Sequence, residues 1–266
     1  MKLLELFSGT HSIGKIAKKY NIDVVSLDRD LEGTCPLKTD YESPKHFKED
    51  IMNFNYKQFP PNEFDIITAS PVCLWWSILR NTWIGRKLKA HGDKIITKEI
   101  LQEDIDKFGK PMVDKVYEII DYFNPTYFWI ENPATGKMKY YIEEKYGTPF
   151  FDVDYCKYSD FGYQKRTRFW YKGLQSFEPK LCKKDCENII ETEKKQKRHK
   201  SNMACGNLIE DENGKLIRCN TKELRDKYLR GDIKYKNIKD SRHNNLVERY
   251  RVPYKLIDEF FKIITN

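Results

Sequence analysis

The chain has 266 residues, of which 39% are hydrophobic and 33% are charged, and its formal net charge at pH 7 is +8. This length has room for one large α/β domain, or for one domain with a small appendage. No apolar run approaches the roughly 18 to 20 residues that a membrane span needs, and the apolar N-terminal stretch is too short for a signal peptide. We therefore expect a soluble intracellular protein without a membrane partner, in the cytoplasm or nucleoid, or in the host cell if it is viral.

The positive charge favours a polyanionic partner, because Lys and Arg side chains displace the counterions that condense on nucleic acid. A lysine-rich background composition would give the same charge, so charge alone does not decide. The seven cysteines of an intracellular chain are expected to be reduced rather than bridged. We expect a monomer.

Strands and helices alternate along the first part of the chain. Apolar strands are predicted at 2–7, 23–27 and 64–69, and a helix at 11–20. This alternation is typical of a parallel sheet flanked by helices, so the sequence predicts a Rossmann-like α/β fold.

The stretch 78–109 has no clean periodicity and is interpreted as a mobile loop with a helical portion near 98–108. The regular elements predicted after it are helices at 111–123 and 136–146 and strands at 127–130, 151–158 and 168–171.

The character of the chain changes after residue 172. Residues 173–243 are poor in large aliphatic side chains, rich in lysine, and contain four of the seven cysteines. A C-terminal segment, 244–266, then returns to order with an amphipathic helix that begins at Pro253. We therefore divide the chain into a main domain (1–172), a small second region (173–243) and a segment that returns to the main domain (244–266).

The turn after the first strand suits a cofactor that lies over the carboxyl edge of a sheet. Its residues are Phe7, Ser8, Gly9, Thr10 and His11. Gly9 allows close approach of the backbone, and the following helix offers N–H donors. Any strand–turn–helix could look the same, but Asp28 stands nineteen positions after Gly9, at the end of the second strand. A carboxylate at that position can accept both hydroxyls of a ribose.

Asp50 and Ile51 come after a polar, Pro-containing connection, and Asp50 is interpreted as a third strand-end acid, suited to an adenine amino group. For Asp28 and Asp50 alike, a helix cap or a solvated loop acid is the structural alternative.

Cys73 follows the strand 64–69 in the turn Ser70-Pro71-Val72-Cys73. A lone cysteine is usually a small buried hydrophobic residue, but a rigid prolyl turn at a strand end would direct this thiol out of the sheet. A free thiol, with a pKa of about 8.5, needs nearby positive charge to act as a nucleophile at neutral pH. Arg166 and Arg168 are the candidates for that charge.

Glu131 ends the apolar strand 127–130, so we expect it to be partly desolvated and able to donate a proton. The structural alternative is an ion pair with one of the arginines. A nucleophile, an acid and paired arginines at strand ends together indicate covalent catalysis on a polar, electron-poor ring.

In order and spacing, these segments resemble the DNA (cytosine-5)-methyltransferase family over residues 1 to about 172. Phe7-Ser8-Gly9 resembles its cofactor motif, Asp28 and Asp50 resemble its ribose and adenine acids, and Pro71-Val72-Cys73 resembles its Pro-Pro-Cys loop. Glu131-Asn132-Pro133 resembles its Glu-Asn-Val motif, and Gln164-Lys165-Arg166-Thr167-Arg168 resembles its Gln-x-Arg-x-Arg element. Beyond residue 172, Arg249-Tyr250-Arg251-Val252-Pro253 resembles its returning C-terminal motif. His11, Val72 and Leu74 depart from the family's usual glycine, proline and glutamine.

The resemblance implies a methyltransferase that moves a methyl group from S-adenosylmethionine to C5 of cytosine in DNA. Cys73 would attack C6, Glu131 would protonate N3 or hydrogen-bond to it, and Arg168, with Arg166 nearby, would hold the O2 side. The cofactor would contact 7–11, Asp28, Asp50, Ile51 and Pro71, and the target base would be flipped out of the duplex. A tRNA cytosine-5 methyltransferase and a catalytically silent nucleic-acid-binding protein remain alternatives.

Residues 173–243 correspond in place to the family's target-recognition region. The basic run 193–200 is suited to phosphates, although such a run is usually a solvated face. A zinc site is conceivable from Cys182, Cys186, Cys205 and Cys219, with His199 nearby. The Cys-x3-Cys spacing is loose and thirteen residues separate the second pair, so we favour reduced structural thiols and expect no bound metal.

Overall fold

The computed structural model describes residues 1–29, 43–191, 195–199, 208–210, 216–218 and 251–266. Its main element is a seven-stranded sheet. The strands are β1 (Lys2–Leu6), β2 (Asp23–Asp28), β3 (Lys45–Lys48), β4 (Ile66–Ala69), β5 (Tyr127–Pro133), β6 (Phe150–Asp154) and β7 (Arg166–Lys172). The helices are α1 (Ser12–Ala17), α2 (Lys98–Asp104), α3 (Lys110–Phe123), α4 (Met138–Lys145) and α5 (Tyr254–Thr265).

The strand order is β3-β2-β1-β4-β5-β7-β6. The first five strands of this order pair in parallel, whereas β7 runs antiparallel to both of its neighbours. The predicted Rossmann-like α/β fold with a mainly parallel sheet is confirmed. Parallel strands buried on both faces are rich in apolar residues, and most residues of β1 and β4 are apolar; Glu5 and Thr68 are their buried polar exceptions.

Helices cover the two faces of the sheet. On one face α3 buries an apolar stripe of Val113, Val116, Ile119, Ile120 and Phe123. On the other face α5 lies beside α1, and Tyr20 donates a 2.9 Å hydrogen bond to Asp258.

The helix α5 completes the core on its face of the sheet. Leu256, Ile257, Phe260 and Phe261 are all fully buried, and the ring of Phe260 packs edge-on against Trp129 of β5.

The stretch 78–109 consists mostly of short helical turns. A 3-10 helix spans Ile78–Trp83, another spans Lys89–His91, and a π-helix at Ile105–Gly109 joins α2 to α3. The helical portion predicted near 98–108 is therefore confirmed, whereas the predicted mobility stays a prediction.

A buried ion pair connects two parts of the stretch 78–109. The guanidinium of Arg80, which is 3% exposed, pairs with Asp104, and His91 Nε2 lies 2.9 Å from the same carboxylate oxygen. Burial alone would raise the pKa of Asp104, but the hydrogen bonds from His91 and Arg80 outweigh it and hold that pKa below its usual range. The aromatic ring of Trp75 lies under Arg80, so this stretch is joined to the turn that carries Cys73.

Two small antiparallel hairpins follow the sheet, β8 (Ile189–Glu191) with β9 (Lys197–His199) and β10 (Leu208–Glu210) with β11 (Leu216–Arg218). None of the helices in the described residues is long and apolar enough to cross a bilayer.

Candidate active site

The carboxyl ends of the parallel strands meet along one edge of the sheet. The turn after β1, the end of β2, the turn after β4 and the end of β5 all lie there. Because β7 is reversed, its first residues arrive at the same edge. The topology therefore brings Lys165, immediately before β7, toward the end of β5.

The turn after β1 has an unusual backbone. Phe7, Gly9 and His11 all have positive φ angles, of 59°, 43° and 51°. The N–H of Gly9 donates a 2.8 Å hydrogen bond to Oδ2 of Asp28. The two residues that the spacing predicted to act together are thus in direct contact, and the Asp28 carboxylate helps to hold the turn.

The remaining members of this turn are buried. Ser8, Thr10 and His11 are 5%, 6% and 9% exposed, and the Ser8 hydroxyl has no hydrogen-bond partner among the described residues. The imidazole of His11 lies 3.7 Å from the carboxylate of Glu5, so His11 is an inward-facing side chain.

The C-terminal segment reaches this turn. Val252 donates its backbone N–H to the hydroxyl of Ser12, the first residue of α1, at 3.3 Å. Arg249 and Tyr250, which belong to the predicted C-terminal motif, lie outside the described residues.

Asp50 stabilises its own loop. One carboxylate oxygen accepts the N–H of Met52 at 2.9 Å, and the other lies 3.4 Å from Arg29. Its neighbour Ile51 is buried in the core. These contacts match the structural alternative for Asp50, and its contact with an adenine stays a prediction.

Cys73 lies in the turn after β4, and its side chain is only partly exposed. The flanking aliphatic side chains are open to solvent, with Val72 at 43% and Leu74 at 42% exposure. Asn132 donates a 2.9 Å hydrogen bond from its side-chain amide to the carbonyl of Pro71. The end of β5 therefore holds the turn that carries the thiol.

Glu131 is buried at the end of β5, with 8% of its surface exposed. Its Oε1 accepts a 3.0 Å hydrogen bond from the hydroxyl of Tyr155 and a 3.4 Å ionic hydrogen bond from Nζ of Lys165. The same ammonium group lies 4.8 Å from the centre of the Tyr155 ring. The expected desolvated acid is present, and its cationic neighbour is a lysine.

The electrostatics of Cys73 connect it to the same pair. Burial raises the pKa of the Cys73 thiol, the positive charge of Lys165 opposes this rise, and the negative charge of Glu131 adds to it. A thiol, a carboxylate and an ammonium group are thus close enough to one another to affect the thiol's ionisation.

The two predicted arginines pair with acids of β6 instead. Arg166 makes hydrogen bonds of 3.1 and 2.7 Å to Asp154, and Arg168 makes hydrogen bonds of 2.8 and 3.1 Å to Asp152. Arg168 also bonds Glu143 at 2.7 Å.

The register of β7 accounts for this. Arg168 lies opposite Asn132, whereas Glu131 lies opposite Phe169, so the side chains of Arg168 and Glu131 leave the sheet on opposite faces. The structure places Lys165, rather than either arginine, in contact with Glu131 and within electrostatic reach of Cys73. Sequence reasoning assigned the positive charge beside Cys73 to the arginines and gave no role to Lys165, although alternation along β7 places Arg166 and Arg168 on one face. A role for either arginine at the O2 side of the base stays a prediction.

A second cluster lies at the end of β6. Cys156, Cys182, Cys186 and His199 offer four possible ligand atoms that all lie within 4.8 Å of one another. Cys205 and Cys219, the other two candidates from the sequence, lie outside the described residues. Cys156 was missed because it belongs to the main domain, far in sequence from the other cysteines.

No family model matches this chain. A protein of frog virus 3 (isolate Goorha) named "Probable DNA (cytosine-5)-methyltransferase" is 39% identical over 192 residues, which are 71% of this chain and 79% of that protein. A solved Escherichia coli structure titled "putative DNA modification methyltransferase encoded within prophage" covers 68% of this chain at 16% identity and a TM-score of 0.41. The chain spans 51% of the length of that structure.

The sheet order, with β7 reversed between β5 and β6, is that of a Rossmann-like methyltransferase. With the viral relative at 39% identity, the chain belongs to the DNA (cytosine-5)-methyltransferase family. The resemblance drawn from the motifs is confirmed.

Proposed function

We propose that the protein transfers a methyl group from S-adenosylmethionine to C5 of cytosine in DNA, through a transient bond between Cys73 and C6. The observation that carries this proposal is the meeting of Cys73, Glu131 and Lys165 at the carboxyl edge of the sheet. The name of the viral relative supports DNA as the substrate.

The residues at the edge suit S-adenosylmethionine in their chemistry. The buried hydroxyl of Ser8 lacks a hydrogen-bond partner among the described residues, and the backbone around Gly9 turns sharply where a ligand would approach. Asp28 would hold the ribose hydroxyls, and Asp50 with Ile51 would border the adenine. The bound cofactor supplies an electrophilic methyl group on a sulfonium.

Cytosine C5 is a poor nucleophile until a nucleophile adds to C6. In the proposed reaction the Cys73 thiolate forms a bond to C6, and the ring electrons move toward N3, where Glu131 donates a proton. The resulting enamine carbon, C5, would take the methyl group from the sulfonium, whose S–CH3 bond would break to leave the neutral thioether S-adenosylhomocysteine. Loss of the C5 proton to a base or water then lets the C6–S bond break, which releases the thiolate and returns the N3 proton to Glu131.

Lys165 has two roles in this scheme. Its ammonium group stabilises the thiolate form of Cys73, against the burial and the negative charge that raise the pKa of the thiol. Its 3.4 Å contact with Oε1 also fixes the carboxylate of Glu131 in place. When Glu131 gives its proton to N3 it becomes a carboxylate, and the ammonium group of Lys165 stabilises that negative charge.

The cytosine must leave the stacked duplex to reach a partly buried thiol. Val72 and Leu74 flank Cys73 with exposed aliphatic surface, which suits the flat face of an extruded base. Trp75 lies two residues after Cys73 and stacks on Phe108 at 4.8 Å between ring centres. In this proposal it closes over the base.

Parallel methyl-transfer assays on duplex DNA and on total tRNA separate the two substrate classes. We expect label in DNA; label that enters tRNA alone would replace this proposal with a tRNA methyltransferase.

Covalent capture tests the mechanism. A duplex that contains 5-fluorocytosine, with S-adenosylmethionine present, should form a stable adduct with the wild-type protein, because fluorine cannot leave C5 as a proton does. Cys73→Ser should form none, yet should bind the cofactor nearly as tightly as the wild type. DNA binding without an adduct would favour a catalytically silent protein.

A further inference from the structure

Three thiols and an imidazole converge where the main sheet meets the recognition region. Cys156 lies in the 3-10 turn Tyr155–Lys157 after β6. Cys182 and Cys186 lie in the loop between β7 and β8, and His199 ends β9. All four candidate ligand atoms lie within 4.8 Å of one another. We propose that these residues bind a structural zinc ion.

The distances match tetrahedral coordination. Nε2 of His199 lies 3.5 Å from Sγ of Cys182 and 3.5 Å from Sγ of Cys186. With Zn–S bonds of about 2.3 Å and Zn–N bonds of about 2.05 Å, a tetrahedral angle separates sulfur from nitrogen by about 3.6 Å. The two distances from His199 agree with this geometry.

The chemistry of the ligand set selects the metal. Thiolates and imidazole suit zinc, whereas magnesium and calcium need oxygen ligands. Four protein ligands fill a tetrahedral site, which is typical of structural zinc rather than of a catalytic centre with an open position. Within the described residues Cys156, Cys182 and Cys186 are unbridged, so all three sulfur atoms are available as ligands.

Hydrogen bonds around the cluster hold the ligand loops in place. The N–H of Cys182 donates a 2.8 Å hydrogen bond to Asp154, which is fully buried and pairs with Arg166. The side-chain amide of Asn188 donates to the carbonyl of Cys156 at 3.2 Å. Partners of this kind orient the ligands of metal sites, and they give Arg166 a structural role here.

The position of the ion gives it a specific task. Cys156 follows Tyr155 directly, and Tyr155 hydrogen-bonds Glu131 at 3.0 Å. Cys182, Cys186 and His199 belong to the first part of the recognition region. The zinc ion would therefore link the segment that contains Cys182, Cys186 and His199 to the part of the sheet edge that carries Glu131.

Metal analysis of the full-length protein, purified without chelators, tests this directly. We expect a single zinc ion per chain, with an X-ray absorption spectrum that fits three sulfur ligands and one nitrogen ligand. Cys156→Ser should weaken zinc binding by at least about tenfold, since even changes outside the ligand shell cost about 10- to 100-fold. Cys73→Ser removes a thiol outside the cluster and should keep its zinc.

The wild-type spectrum makes the test independent of whether Cys156→Ser folds. Zinc-free wild-type protein, a disulfide among these cysteines, another metal, or a first shell other than three sulfurs and one nitrogen would overturn the proposal. Full zinc content in Cys156→Ser would also overturn it. None of these measurements uses methyl transfer, so failure here is distinct from failure of the proposed function.

Discussion

The side-chain amide of Asn132 donates a 2.9 Å hydrogen bond to the backbone carbonyl of Pro71. Asn132 follows Glu131 in β5, and Pro71 lies two residues before Cys73. This single bond therefore connects the strand that carries the acid to the turn that carries the thiol. Asn132 is 1% exposed, so water cannot replace the bond.

We expect Asn132→Ala to reduce stability by about 1–3 kcal/mol, because it removes a buried hydrogen bond and leaves the Pro71 carbonyl unpaired. Adduct formation with 5-fluorocytosine DNA should slow as well, because the turn loses its anchor. Urea denaturation and adduct kinetics measure the two effects. Asn53→Ala, at an exposed position, is the matched control; equal behaviour of the two variants would deny the anchoring role.

Lys165→Met and Glu131→Gln should shift the ionisation of Cys73 in opposite directions. Lys165 lowers the pKa of the thiol and Glu131 raises it, so loss of the lysine raises this pKa and loss of the carboxylate lowers it. The rate of iodoacetamide alkylation at Cys73, followed by mass spectrometry of its peptide from pH 6 to pH 10, reports the thiolate fraction. The alkylation rate should rise at a higher pH in Lys165→Met and at a lower pH in Glu131→Gln than in the wild type. If both variants shift this pH in the same direction, the two charges do not set the ionisation of the thiol.

Asp28→Ala should weaken binding of S-adenosylmethionine by about 1–3 kcal/mol, the cost of lost charge-assisted hydrogen bonds. Calorimetric titration of the purified protein measures this affinity. Because Asp28 also accepts the N–H of Gly9, Asp28→Asn is the informative companion, since its amide oxygen can keep that internal bond. If both variants bind S-adenosylmethionine as tightly as the wild type does, the role of Asp28 is limited to its hydrogen bond with Gly9.

Gly109→Ala should destabilise the fold by about 1–3 kcal/mol through overpacking. A Cβ atom at this position would lie 3.0 Å from Cε2 and Cζ2 of Trp76, whose ring is buried and stacks on Tyr141. In the Trp76→Phe background, where the ring is smaller, the same substitution should cost less. Thermal denaturation of the four proteins gives the coupling between the two sites, and additive effects would contradict a direct clash.

The strand ends that hold Cys73, Glu131 and Asp28 were predictable from the sequence. Apolar runs that stop abruptly at polar residues identify buried parallel strands, and their carboxyl ends must share one edge of the sheet. The contact between Gly9 and Asp28 follows from the same rule.

The cation of the site was not predictable from residue types alone. Two arginines suggested the partner of Cys73, but the pairing of β7 with β5 and β6 decides which face each side chain occupies. The predicted strand at 168–171 began too late, since β7 starts at Arg166, and this obscured the position of Lys165. Register depends on contacts distant in sequence, which local patterns do not contain.

Cys156 was missed for a related reason. Metal ligands are recognised in a sequence by close, repeated spacing, and Cys156 is separated from Cys182 by twenty-five residues. The two meet at Asp154, the last residue of β6. The short turn that holds Cys156 begins directly after Asp154, and the N–H of Cys182 donates a hydrogen bond to the Asp154 carboxylate.

The position of α5 has a consequence for biosynthesis. Phe260 and its neighbours cover Trp129 and the aromatic side chains of β6 and β7, yet they are made after every other strand and helix described above. While the ribosome is still translating residues 173–243, that apolar surface is not yet covered and is open to chaperones or to other nascent chains. The sheet edge that carries Cys73 and Glu131 consequently gains the support of this helix only after residues 254–265 have been made.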